Sequence, residues 1–305
     1  MENKTQRSFI IGDKWLYYKL YTGPKTADMI LTEIVNPVAT ELIKQGAIDQ
    51  WFFIRYADPK HHLRVRFHYN DPSRVAEIIN ALHIPFRSFI EEDLLWKIQL
   101  DTYQRELERY GDNTIEQAEE LFFHDSKMIA DFIDLIEGDE GEEIRWLFGL
   151  RAIDNLLDSF EYSEEGKLEL LDNLKTGFGM EFGMSRPLKK QLDNKYRNAR
   201  GKISEFLVFE RENNPDFAPV LDVLDEKSAN TKAVAKAILK HRDEGTLKME
   251  LNSLMGSYIH MLMNRLFKSN NRLHEMVCYD FLFRYYKSEW ARKKYQKQKD
   301  SPVHG

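Results

Sequence analysis

Trp51-Phe-Phe-Ile-Arg-Tyr-Ala-Asp-Pro-Lys-His-His-Leu-Arg-Val-Arg-Phe-His68 decides the fold class. From Leu63 the stretch alternates strictly. Leu63, Val65 and Phe67 point one way, and Arg64, Arg66 and His68 the other, because successive side chains of a strand face opposite sides. The run before it, with Phe52, Ile54 and Tyr56 set against Phe53 and Arg55, is its hairpin partner, and Asp58-Pro59-Lys60 is the turn. Two guanidinium groups then lie side by side on one sheet face. Adjacent like charges are unfavourable unless an anion sits between them. Forked cations suit a carboxylate or phosphate; the alternative is a solvated face with arginines paired to nearby glutamates.

Working outward, Trp15–Tyr21 reads as a first strand, and Thr22-Gly-Pro-Lys turns into a helix that Pro37 should kink. Asp71-Pro72-Ser73 caps a second helix with Val75, Ile78, Ile79 and Leu82 as its apolar stripe. From Trp96 alternation returns: Trp96, Ile98 and Leu100 on one face, Lys97, Gln99, Asp101, Tyr103 and Arg105 on the other. Strand, helix, hairpin, helix, strand is a ferredoxin-like βαββαβ unit with an antiparallel sheet. Its polar faces would bring Arg64 and Arg66 toward Asp101, Tyr103 and Arg105.

Beyond Gly111 the pattern is helical: Ile115–Glu137, Glu142–Phe160, Ser163–Leu174, Pro187–Arg211, Ala229–Arg242, Leu251–Phe267 and a last helix from Arg272. Residues 137–143, an acidic run, read as a solvated turn, and Gly177–Gly183 as a Gly-aromatic loop without phosphate-loop spacing. The expected class is therefore α+β: an α+β sheet layer to about residue 111, a mostly helical layer packed on it over 112–298, and a tail over 299–305, all in one domain.

Among 305 residues, 42% are hydrophobic, so the chain is globular. A net charge of -6 argues against direct nucleic-acid binding. A single cysteine, Cys278, excludes an internal disulfide framework and a cysteine metal cluster, and fits a reducing cytoplasmic setting. No apolar run is long enough to cross a membrane. His61 with His62, and His124 with Asp125, lack metal-ligand spacing, so neither metal nor cofactor is expected.

Leu251–Phe267 is the second informative stretch. It is apolar nearly all round except for Ser253, Ser257, His260 and Asn264, which recur at four, three and four on one helix face. Buried polar groups need partners. A core histidine satisfied by a carbonyl would explain His260 alone; the aligned Ser257 and Asn264 favour a site able to exchange protons near neutrality.

Three segments together, Phe53–Phe67, Asp101–Gly111 and Ser257–Leu266, resemble the glutamate-elimination domain of class I lanthipeptide dehydratases, a domain also met alone in thiopeptide pathways. The resemblance runs from Trp15 to about Tyr286. It implies a lyase that removes glutamate from glutamylated Ser or Thr of a ribosomally made precursor peptide, leaving dehydroalanine or dehydrobutyrine. It also implies a separate glutamyl-tRNA-dependent partner protein that adds the glutamate, no cofactor, and a monomer or homodimer. Arg64, Arg66, Arg105 and His260 are carried over from its motifs. Arg66 and Arg105 would hold the glutamyl carboxylates with Arg64 in support, and His260 would exchange protons, oriented by Asn264. Arg55, Tyr103 and Arg265 are further substrate-binding candidates. Tyr110-Gly111-Asp112 departs from the family's Tyr-Gly-Gly. Two other readings compete: the pyridine-forming cycloaddition enzyme of thiopeptide biosynthesis, and a non-catalytic subunit that binds peptide or assembles a complex.

Overall fold

The computed structural model describes residues 5–136 and 138–300. In chain order its elements are β1 (Ser8–Phe9), β2 (Trp15–Thr22), α1 (Pro24–Met29), a π turn over Ile30–Val35, α2 (Asn36–Lys44), β3 (Gln50–Tyr56) and β4 (His62–His68). There follow α3 (Val75–Glu91), β5 (Leu95–Asp101), β6 (Tyr103–Gln104), α4 (Leu107–Tyr110) and α5 (Ile115–Leu135). The rest is helical: α6 (Gly138–Ser159), α7 (Glu164–Glu181), α8 (Arg186–Val208), α9 (Ala218–Asp243), α10 (Leu251–Leu266) and α11 (Asn271–Asp300). An α+β layer followed by a helical layer is the expected class.

The main sheet is antiparallel in the order β3-β4-β2-β5, which is the ferredoxin-like arrangement. Register puts Tyr17 and Phe52 on either side of Arg66, and Lys19 and Ile54 on either side of Arg64. The opposite face, with Leu16, Leu20, Leu63, Val65 and Phe67, is fully buried against α1 to α3. Pro37 acts just upstream of itself. It lacks the N–H an α-helix needs there and its ring crowds the preceding turn, so the chain widens into the π turn before α2 begins.

The β3 edge is closed by side chains. Phe53 N–H donates to Ser126 Oγ of α5 at 3.1 Å, and Arg55 exchanges both backbone bonds with the Asn264 amide of α10, at 2.9 and 3.0 Å. This satisfies an otherwise open edge and fixes α10 against the sheet. A two-stranded ribbon, β1 with β6, lies over one end of the sheet and stacks Phe9 on Tyr103.

Several expectations need correction. Residues 138–143 form the first turns of α6 rather than a solvated turn; Glu137 lies outside the described residues. The Gly-aromatic segment continues α7 to Glu181, where Phe178 packs edge-on to Tyr279 of α11 at 5.2 Å; that contact offsets the poor helix propensity of Gly177 and Gly179. Trp96 does not share a face with Ile98, because an irregularity opposite Tyr21/Thr22 shifts the register and leaves it 59% exposed. Helix α9 begins well before Ala229, and α11 runs on to Asp300, with 301–305 of the expected tail outside the described residues.

Candidate active site

Arg66 stands at the centre of the sheet's second face. Its guanidinium lies over Tyr17 at 4.4 Å, Tyr103 at 4.8 Å and Phe52 at 5.0 Å, and only 7% of the residue is exposed. Aromatic faces attract a cation but give its N–H groups no acceptor. Nε and Nη1 are buried without a hydrogen-bond partner, and no carboxylate among the described residues is within ion-pair distance. Burial accordingly lowers its pKa.

Arg265 reaches the same place from α10. It is fully buried, with its guanidinium over Phe122 at 4.7 Å. Nε–H donates to Ser126 Oγ and Nη1–H to the Met261 carbonyl, while Nη2 has no partner. Burial pushes its pKa down to about 10, opposed by Asp125 from beyond ion-pair distance. The two guanidinium groups line one cavity of ≈50 Å³ with Tyr103, Glu106, Tyr110 and Met261. Two buried cations with no carboxylate in ion-pair distance among the described residues are costly to keep, and an anion in the cavity would offset that cost.

Tyr103 belongs to this cavity, but its hydroxyl donates to Glu119 Oε1 at 2.7 Å, and its pKa is raised well above the usual value by burial. Arg105 is placed elsewhere. It grips Glu119 with two hydrogen bonds, 2.8 and 2.6 Å, and lines a separate polar cavity of ≈950 Å³. With both ends of its fork occupied, Arg105 is not a free carboxylate receptor; it fixes Glu119, and through it Tyr103. Arg64 lies one pleat from Arg66, on the Tyr56 ring at 3.5 Å, donating Nε–H to His62 Nε2 at 3.1 Å. Arg55 faces the other side of the sheet, as its odd register with Leu63 requires, and binds Asp28 of α1 at 2.5 Å. Asn264 is taken up by the β3 edge.

His260 opens into a neighbouring groove of ≈560 Å³ between α7, α10 and α11. Its Nδ1 is 2.9 Å from Glu275 Oε2, and Glu275 is 1% exposed and also accepts the Tyr279 hydroxyl at 2.8 Å. In the neutral ring Nδ1–H donates to that carboxylate, which leaves the Nε2 lone pair as a proton acceptor. The orienting partner of His260 is thus Glu275, not Asn264. Cavity and groove adjoin along two segments. Met261 lines the first and His260 the second; Glu106 lines the first and Arg109 the second, and the latter two pair at 3.4 Å. Arg109 also donates Nε–H to Ser257 Oγ at 3.1 Å.

Sequence reading missed Glu275, Glu119 and Arg109. Glu275 sits on a different helix, and Glu119 within Glu119-Glu120 has the look of a solvated face. Arg109 lies inside the second motif, where Arg105 drew attention instead.

A sequence model of the family described as "Lantibiotic biosynthesis dehydratase C-term" matches residues 15–286. The subtilin biosynthesis protein SpaB of Bacillus subtilis is 26% identical over 272 residues, covering 87% of this chain and 25% of SpaB. The tRNA-dependent lantibiotic dehydratase MibB of Microbispora sp. 107891 superposes with a TM-score of 0.71 at 21% identity, over 92% of this chain and 29% of MibB. TbtD, a pyridine synthase from thiomuracin biosynthesis, gives 0.56 at 11% identity over 88% of this chain and 97% of its own. The chain therefore spans about a quarter of SpaB and under a third of MibB, and the structural likenesses are likenesses of fold.

Proposed function

The chain belongs to the lantibiotic biosynthesis dehydratase C-terminal family, and from that membership we propose that it is a lyase removing glutamate by β-elimination from glutamylated Ser or Thr of a precursor peptide. Residues 15–286 act as one elimination domain in this reading, and a separate glutamyl-tRNA-dependent protein supplies the glutamylated substrate. One observation supports the reading: Arg66 and Arg265 line a single cavity with unpartnered buried N–H groups, and among the described residues neither has a carboxylate within ion-pair distance. Glutamate is a dicarboxylate, and bidentate guanidinium groups are its natural receptor.

The chemistry divides between the two spaces. The glutamyl carboxylate sits on Arg66 and Arg265, with Tyr103 held in place by the Arg105–Glu119 pair. The peptide lies along the groove. His260 Nε2 takes the α-proton, the Cα–Cβ double bond forms, and the Cβ–O bond breaks with its electron pair leaving on glutamate. Glu275 stabilises the imidazolium that results. Arg109, anchored by Ser257 one turn before His260, is the cation available to the enolate-like oxygen.

The test is to incubate the protein with a Ser-glutamylated peptide, without ATP or tRNA, and follow mass. Loss of one glutamate per modified residue is expected. An unchanged peptide that nevertheless binds in its dehydrated form would replace this reading with cycloaddition, and failure to turn over while a complex assembles would replace it with the subunit reading.

A further inference from the structure

The Gly-aromatic end of α7, Gly177-Phe-Gly-Met-Glu-Phe-Gly183, has a place in the fold but no part in the chemistry above. It continues one wall of the groove that His260 opens into, where Leu170, Leu174 and Phe178 recur every fourth residue along one face of the helix. That wall is weak toward its end. Glycine in a helix interior loses more backbone freedom on folding than any other residue. Gly177 is exposed, and a Cβ there would meet nothing within 4 Å, so packing does not require it. Gly183, by contrast, is needed to close the helix: its φ is +61°, and Met184 N–H donates to the Gly179 carbonyl at 2.9 Å.

What holds this end down is exposed as well. Arg272 of α11 lies over the Phe178 ring at 4.2 Å and pairs with Glu181, the two side chains being 45% and 48% exposed. Such a pair contributes little to folding and breaks readily. Beneath it Phe178 is edge-on to Tyr279, the Tyr279 hydroxyl donates to Glu275, and Glu275 orients His260. One ring therefore touches both the exposed pair and the chain of contacts that ends at the proton acceptor.

We propose that the last turns of α7 are a movable wall of the groove. They swing away to admit the peptide and, on closing, Phe178 sets His260 through Tyr279 and Glu275. Gly177 is the hinge and Arg272 the latch. Phe178 is a positioning residue, acting on the reacting atoms only through those two side chains. The proposal rests on the elimination reading and adds a conformational step to that same site; no bond is made or broken in the step.

Hydrogen exchange of the whole chain, followed by mass spectrometry, measures the motion. Gly177→Ala should slow exchange of the amides of residues 178–184 about fivefold, the equivalent of the ~1 kcal/mol that separates Ala from Gly in a helix. Arg272→Gln should speed the same amides at unchanged Tm. Turnover ties the motion to function. With Ser glutamylated inside an extended peptide, Gly177→Ala should lower kcat/KM by the same fivefold, because only the open form admits the chain. A single blocked O-glutamyl-serine needs no opening and should be released at the wild-type rate. Phe178→Leu should lower kcat on both substrates while leaving KM for the small one unchanged. Equal effects of Gly177→Ala on the two substrates would overturn the proposal, as would exchange that neither variant alters, or full kcat in Phe178→Leu. Release from neither substrate by wild type, with exchange behaving as expected, would instead defeat the elimination reading.

Discussion

Two clusters of buried arginine lie on opposite faces of the same sheet, and they are built on opposite principles. On the covered face Arg55 and Arg145 share the Asp28 carboxylate, at 2.5 and 2.9 Å. The same two residues donate to the Arg265 and Leu266 carbonyls at the end of α10. Each keeps one nitrogen without a hydrogen bond, but Asp28 offsets the charge and the helix terminus gains donors for its last carbonyls. On the other face Arg66 and Arg265 have aromatic rings and, among the described residues, no carboxylate within ion-pair distance. The first cluster holds α10 in place. The second leaves an electrostatic demand unmet, which is what a site does when its ligand completes it.

Removing the compensating acid should have the largest effect. Asp28→Ala strands two buried guanidinium groups, which should cost about 3–5 kcal/mol, seen as a fall in Tm of roughly 10 °C. The remaining folded molecules should eliminate glutamate normally, because Asp28 touches no substrate. A variant of wild-type stability would collapse the contrast. Arg66→Met probes the other side. With no carboxylate left behind, stability should hold or rise, since an apolar side chain suits the Tyr17, Phe52 and Tyr103 box better than an unpaired charge. Elimination should fall by about 10²–10³-fold, the scale of a lost preorganised charge contact. Thermal melts with single-turnover release on one preparation measure both halves.

How much of this was legible in the sequence depends on what each residue's partner was. Strict alternation from Leu63 to His68 puts Arg64 and Arg66 on one face together, so the hairpin and the βαββαβ order could be read directly. Arg55 reads as a substrate-binding candidate, because alternation within its own strand does not fix its register, and its pairing with Leu63 puts it behind the sheet. Arg105 has the same chemistry as Arg66 and could not be told from it. Only the fold brings Glu119 to one and aromatic rings to the other. Asn264 has the spacing of a site residue on α10, yet its partner is the backbone of a strand far away in the chain. Asn264→Ala sharpens that point. It leaves the Arg55 N–H and carbonyl without partners, so about 2 kcal/mol of stability should go, while the rate of elimination per folded molecule stays put. A selective loss of turnover at unchanged Tm would return Asn264 to the site.

The smallest effect distinguishes Arg64 from both clusters, because its partner is a neutral ring. His62 Nε2 accepts from Arg64 Nε, so Nδ1 carries the proton donated to the Lys60 carbonyl at 2.8 Å. Burial, first among the causes, and Arg64 itself lower the pKa of His62 below 6.5. The unfolded chain therefore binds this proton at a higher pH than the folded one. Stability from the neutral ring is complete above the unfolded value of 6.5 and declines as pH falls below it toward the folded value. Melts from pH 7.5 to 5 should show an acid-side loss to which His62 contributes, and His62→Gln, which keeps an acceptor for Arg64, should flatten it by that share. An unaltered slope would mean that the ring takes up its proton alike in both states, so that Arg64 does not depend on it, and Arg64 would then belong with Arg66 among the cations waiting for an anion.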